Sequence, residues 1–153
     1  MPLSNTPNLN NPEIIFNIET PLSVSFDMEK FVHAVFNLKR ITCGFFEFNF
    51  VNAAMIVSLN QSHLGRDYVT DIITFNLGSL EDIVGDVYIC VEQAAENAAH
   101  YKHDFEDEIR LLLIHGILHL LDYQDYTDEE KQIMDVEQTR LLQEAKTWLL
   151  RNP

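Results

Sequence analysis

The stretch HGILHLLDYQD, residues 115–125, decides how the chain is read. It closes a run, FEDEIRLLLIHGILHLL (105–121), that is apolar nearly all round and is expected to be the central buried helix. On a helix, positions i and i+4 lie one above the other on the same face, so His115 and His119 can offer two imidazoles to one ion. The plain alternative is a pair of hydrogen-bonded core histidines. Against it stands the polar, oxygen-rich turn that follows, DYQDYTDEE. A chain that turns back at Asp122 brings Asp125 to the same ion. Two histidines and one carboxylate are a known catalytic zinc set with a place left for water. The i, i+4, i+10 spacing is that of the metzincin proteases. Their general base, a Glu directly after the first His, is replaced by Gly116, which argues against a protease.

Upstream of this helix the periodicity predicts strands at 13–18 (EIIFNI), 45–51 (FFEFNFV), 71–75 (DIITF) and 83–91 (IVGDVYICV). The continuously apolar AAMIVSL (53–59) reads as a further strand that, with Asn52 between, forms a hairpin with 45–51 or lies as an adjacent strand. Helices are expected at 27–40, with Asp27 as N-cap, and at 92–102. Asp104 opens the central helix, and the capping box TDEE (127–130) opens a last one. That last helix should turn Ile133, Val136, Leu141, Ala145 and Leu149 inward. Strands followed mostly by helices point to an α+β domain with one sheet.

At 153 residues and 46% hydrophobic, the chain is expected to form one domain, 1–153, with 1–12 as a flexible N-terminal segment. The first dozen residues lack the order of a signal peptide, and no apolar stretch is long enough to span a bilayer. With only Cys43 and Cys90, both in apolar surroundings, no disulfide partner is expected and a reducing cytoplasm fits. The formal net charge is −14, which repels nucleic acid over most of the surface, so any such role needs a local basic patch or a bound cation. Between Ile41 and Tyr101 the one basic residue is Arg66. A second histidine pair, His100 and His103, has no third ligand nearby in sequence and reads as surface helix.

Three ordered blocks carry a family resemblance. HGILHLLDYQD resembles the H-G-x-L-H-L-x-G-Y-D-H signature of the YbeY family, bacterial endoribonucleases and rRNA maturation factors. LNQSHLGRDYVTDIITF (59–75) is similar to its L-N-x-x-Y-R-x-K-D-x-P-T-D-V-L-S-F segment, and VGDVYIC (84–90) to its L-G-D-I-V-I-S strand. The resemblance implies an αβα-type sandwich with a sheet of about four strands. It also implies one divalent ion bound at the end of the central helix, and a cleft floored by 59–75. His115 and His119 match the first two ligands, and Asp125 stands where the family has a third His. Zn2+ is the first choice of ion; Ni2+, Fe2+ and Mn2+ suit the same donors. The family Gly of the turn is Asp122, read as a left-handed turn residue, with a role as acceptor for a ligand histidine as the lesser alternative. The family Arg is Leu64 here. Its Lys is Arg66, which keeps a cation in the loop and is the candidate phosphate contact. His63 could add a titratable donor near the cleft, and Thr70, Asp71 and Asp86 match the family.

Two functions follow from the resemblance. In the first, the chain is a metal-dependent single-strand-type endoribonuclease, a hydrolase of phosphodiester bonds in 16S rRNA maturation and ribosome assembly. Its catalytic residues would be Arg66, His115 and His119, and its partner rRNA or a ribosomal precursor. In the second, it is a weakly catalytic or non-catalytic ribosome-assembly factor. Its metal would be structural, and its acidic surface would bind a basic ribosomal protein.

Overall fold

The computed structural model describes residues 11–153, so of the segment expected to be flexible only Asn11 and Pro12 are described, and Pro12 is buried. The elements are β1 (Glu13–Ile18), α1 (Met28–Leu38), β2 (Phe45–Val51), α2 (Ala53–Leu64), β3 (Ile72–Asn76), β4 (Val84–Cys90), α3 (Val91–Tyr101), α4 (Phe105–Leu120) and α5 (Asp128–Arg151). The strands make one four-stranded sheet in the order β1-β2-β4-β3, the α+β architecture that the sequence predicts. β1, β2 and β4 run parallel; β3 runs antiparallel to β4 and forms an edge.

Alternation along the strands splits the apolar residues between two faces. Phe46, Phe48, Phe50, Val87 and Ile89 are buried with Phe31 and Val35 of α1, Leu113 and Ile117 of α4, and Met134 and Leu141 of α5. The opposite face carries a smaller cluster in which Val51, Ile73 and Cys90 pack with Ile56 of α2.

Two glycines let the C-terminal half of α4 settle onto the sheet. A methyl group at Gly85 would lie 2.5 Å from Leu120 Cδ1, and one at Gly116 would lie 3.0 Å from Val87 Cγ1. The helix end that carries the histidines is therefore held against β3 and β4.

The caps expected at Asp27 and Thr127 both form: Asp27 accepts from the Lys30 N–H at 3.1 Å, and Thr127 with Glu130 makes a complete capping box. Two expectations fail. Residues 53–59 belong to helix α2, not to a strand paired with β2. Asn52 is its N-cap and accepts from the Met55 N–H at 2.9 Å. A short continuous apolar run carries no period, and here the cap and the helix-forming Ala53, Ala54 and Met55 decide it. In α5, Ile133 and Val136 are exposed, while Met134, Leu141 and Ala145 are buried. At ~100° per residue, Ile133 and Val136 fall roughly 100° and 160° away from the line through those three.

Candidate metal centre and its cleft

His115 and His119 sit one turn apart near the C-terminus of α4, with Nε2 atoms 2.9 Å from each other. Asp125 Oδ2 lies 3.6 Å from the first and 3.3 Å from the second. The turn that brings Asp125 there depends on Asp122, whose φ of 74° is left-handed, as the sequence predicts. Its carboxylate accepts from Gln124 Nε2 at 2.8 Å and serves the turn; neither His115 nor His119 bonds it.

The outer ring nitrogens fix the protonation pattern. His119 Nδ1 lies 2.9 Å from the Tyr123 carbonyl oxygen, and His115 Nδ1 lies 2.5 Å from Gln138 Oε1. Both partners are acceptors, so each Nδ1 carries the proton and donates it. Each Nε2 then turns a lone pair toward the other and toward the Asp125 carboxylate. Three electron-rich atoms within 4.8 Å of one another, with no proton between them, suit a cation. Burial, and then the neighbouring His115, push the His119 imidazole below its ordinary value against the opposing pull of Asp125. That favours the neutral form a metal requires. Among the described residues this is the one cluster of three or more such side chains with metal-binding geometry.

The three donors open onto a cleft of about 470 Å³. Its floor is β3. One wall is the end of α4 with the turn through Asp125, and the other is the end of α2 with the following loop, including Leu64, Arg66, Tyr68 and Thr70. Arg66 is exposed and makes no ion pair among the described residues. Its neighbours in the lining include Asp71, whose carboxylate is held by Asn97 Nδ2 at 2.9 Å.

Other predicted residues fall elsewhere. His63 is exposed, packs its ring edge-on against Phe75, and does not line the cleft. Asp86 lies on the α2 face of the sheet, where it accepts from Asn49 Nδ2 at 3.0 Å and from the Tyr88 hydroxyl at 2.8 Å. Burial, and then the Asp86 carboxylate, push the Tyr88 hydroxyl up to about 12. His100 is exposed on α3, but His103 follows that helix and bonds the buried Glu108 at 2.6 Å. The free thiols of Cys43 and Cys90 form no disulfide, and no helix of the described residues is long and apolar enough to cross a membrane. Sequence reasoning missed Gln138 and the Tyr123 carbonyl, which orient the imidazoles. It also missed Thr74, whose Oγ1 is buried without a hydrogen-bond partner beneath the cleft.

Comparisons with known proteins point to one family. The family model "Endoribonuclease YbeY" matches residues 15–146. Curated relatives named endoribonuclease YbeY include that of Ureaplasma parvum serovar 3, 37% identical over 67% of this chain and 68% of the relative. That of Desulforamulus reducens is 31% identical over 85% of this chain and 94% of the relative. The solution structure of TM1509 from Thermotoga maritima superposes with a TM-score of 0.64 at 29% identity, covering 90% of this chain and 93% of that one. With the family model spanning the sheet, the cleft and all three donors, the chain belongs to the YbeY family.

Proposed function

We propose that this chain is a metal-dependent, single-strand endoribonuclease that matures rRNA in the cytoplasm, its whole length acting as one hydrolase domain. His115, His119 and Asp125 hold one divalent ion, Zn2+ being the first choice. The observation that carries the reading is the convergence of three lone-pair donors on the wall of a cleft whose far wall bears Arg66, unpaired among the described residues. Bound there, the ion supplies Lewis-acid polarisation of a phosphate oxygen. Gln138 and the Tyr123 carbonyl keep the imidazole lone pairs turned inward, and Arg66 binds phosphate and offsets the charge that develops on it.

Charge supports the same assignment. With neutral imidazoles, the lining holds Arg66 against Asp71 and Asp125, a balance of −1, in a chain of net charge −14. A divalent ion reverses the balance to +1. RNA binding as well as cleavage then depends on the metal. The acidic remainder of the surface suits a basic ribosomal protein as a second partner.

The test is cleavage of a single-stranded RNA by protein as purified, after chelation and after metal is restored, alongside Arg66→Ala. Cleavage should vanish with the metal and return with it. Arg66→Ala should weaken binding several-fold and reduce its salt slope by about 1. Chelator-resistant cleavage would refute the metal assignment. Metal-dependent RNA binding without cleavage would favour an assembly factor whose metal is structural, the reading to which Leu64 in the place of the family arginine lends weight.

A further inference from the structure

β3 is an edge strand, and its ladder to β4 fixes which backbone groups are spent. Cys90 N–H donates to the Asp71 carbonyl at 2.9 Å, and Leu77 N–H donates to the Val84 carbonyl at 2.8 Å. With Ile72 opposite Ile89 and Asn76 opposite Gly85, both of those are directly opposed, hydrogen-bonded pairs. Antiparallel geometry then turns the N–H and C=O of Ile73 and Phe75 toward β4, and those of Ile72, Thr74 and Asn76 away from it. Among the described residues no strand pairs with that outer edge. All five residues of β3 line the cleft onto which His115, His119 and Asp125 open.

Such an edge is a row of unpaired donors and acceptors, ready to bind an extended chain. The outward groups alternate donor and acceptor and repeat every ~6.7 Å, twice the rise of a strand. An extended RNA strand repeats on a similar scale, with a phosphate that accepts and a 2′-hydroxyl that donates in every nucleotide. Arg66 on the neighbouring wall suits that polyanion.

We propose that the free edge of β3 grips the sugar–phosphate backbone of single-stranded RNA. The N–H groups of Ile72, Thr74 and Asn76 donate to phosphate, and the carbonyls of the same residues accept from 2′-hydroxyls. Selection of RNA over DNA then resides in backbone carbonyls of the strand, and the grip reads no base. This inference rests on the nuclease reading and adds to it the element that recognises the sugar.

The experiment is a titration of ¹⁵N-labelled, zinc-loaded protein with hexauridylate and, separately, hexadeoxyuridylate, each checked for intact length afterwards. These probes differ only in the 2′-hydroxyl. The amides of Ile72, Thr74 and Asn76 should move downfield with the RNA while those of Ile73 and Phe75, already bonded to β4, move least. The RNA should bind about tenfold tighter, the scale of one net hydrogen bond. Equal affinity, or RNA shifts confined to the 65–70 loop and the 121–126 turn, would overturn the strand-edge grip and leave the nuclease reading standing. Silence of every cleft amide, in protein that also fails to cleave RNA, would overturn both. A Lys-Thr hexapeptide that shifts the three edge amides when hexauridylate does not would reassign the edge to a protein strand.

Discussion

Gln138 Oε1 lies 2.5 Å from His115 Nδ1 and ties the first imidazole of α4 to α5. The bond spans two helices and fixes a tautomer, because an amide oxygen can only accept. A partner of this kind orients a metal ligand, and its loss costs ~10–100-fold in metal affinity. Gln138→Leu should show that loss in competition with a chelating dye while its circular dichroism stays that of the wild type. Gln138→Glu, which keeps the acceptor and adds charge, should bind as tightly as wild type or tighter. Equal affinity for the leucine variant would mean that His115 is held by packing alone.

Asp125 tests the third arm. Its side chain is 37% exposed, against 21% for His115 and 24% for His119, so it can be changed with little effect on packing. Protein purified without a histidine tag should carry about one ion per chain by mass spectrometry. Asp125→Ala should lose most of it, and Asp125→His, the family's residue, should restore it. Full occupancy in the alanine variant would remove Asp125 from the ligand set.

What the sequence made legible follows the range of each interaction. The His115–His119–Asp125 cluster lies within eleven residues, and helix periodicity with one left-handed turn suffices to assemble it. The Gln138 bond joins positions 23 residues apart, and a glutamine on a long polar helix carries no local signal. Residues 53–59 are ambiguous in sequence because an apolar run lacks a period, and Asn52 suits a turn between strands as well as a helix cap. Ile133 and Val136 are apolar yet exposed, because their angle on the helix turns them away from the buried line. The β3 edge depends on strand order, which no local pattern encodes.

Gly116 explains why this helix lacks the protease glutamate. The residue is buried, and a Cβ there would meet Val87 Cγ1 at 3.0 Å and Ile72 Cδ1 at 3.4 Å. For Gly116→Ala, the crowding of two methyl groups opposes a gain in helix propensity of ~1 kcal/mol, so its stability should stay within about 1 kcal/mol of wild type. Gly116→Glu buries an unpaired carboxylate against β4 and should cost at least ~3 kcal/mol in urea unfolding. A glutamate variant as stable as wild type would show that α4 can lift from the sheet.

Glu137 sets an acid limit on stability. Its carboxylate is held by Arg140 Nε at 2.6 Å and by Lys39, whose ammonium also bonds the Tyr123 hydroxyl at 2.8 Å. The bond from Arg140, and then that from Lys39, outweigh burial and bring Glu137 from 4.5 down to about 2. The folded state thus binds this proton less readily than the unfolded chain, so the stabilisation is complete above about pH 4.5 and is lost as pH falls toward 2. Glu137→Gln should therefore be less stable than wild type at neutral pH, by ~1–3 kcal/mol, since it leaves Lys39 half-buried without its counter-charge. Between pH 4.5 and 2 the two unfolding curves should converge, because protonation turns the wild-type side chain into a neutral one like that of the variant. A gap that held constant down to pH 2 would assign the cost of the substitution to packing, and the link between α1 and α5 would not be ionic.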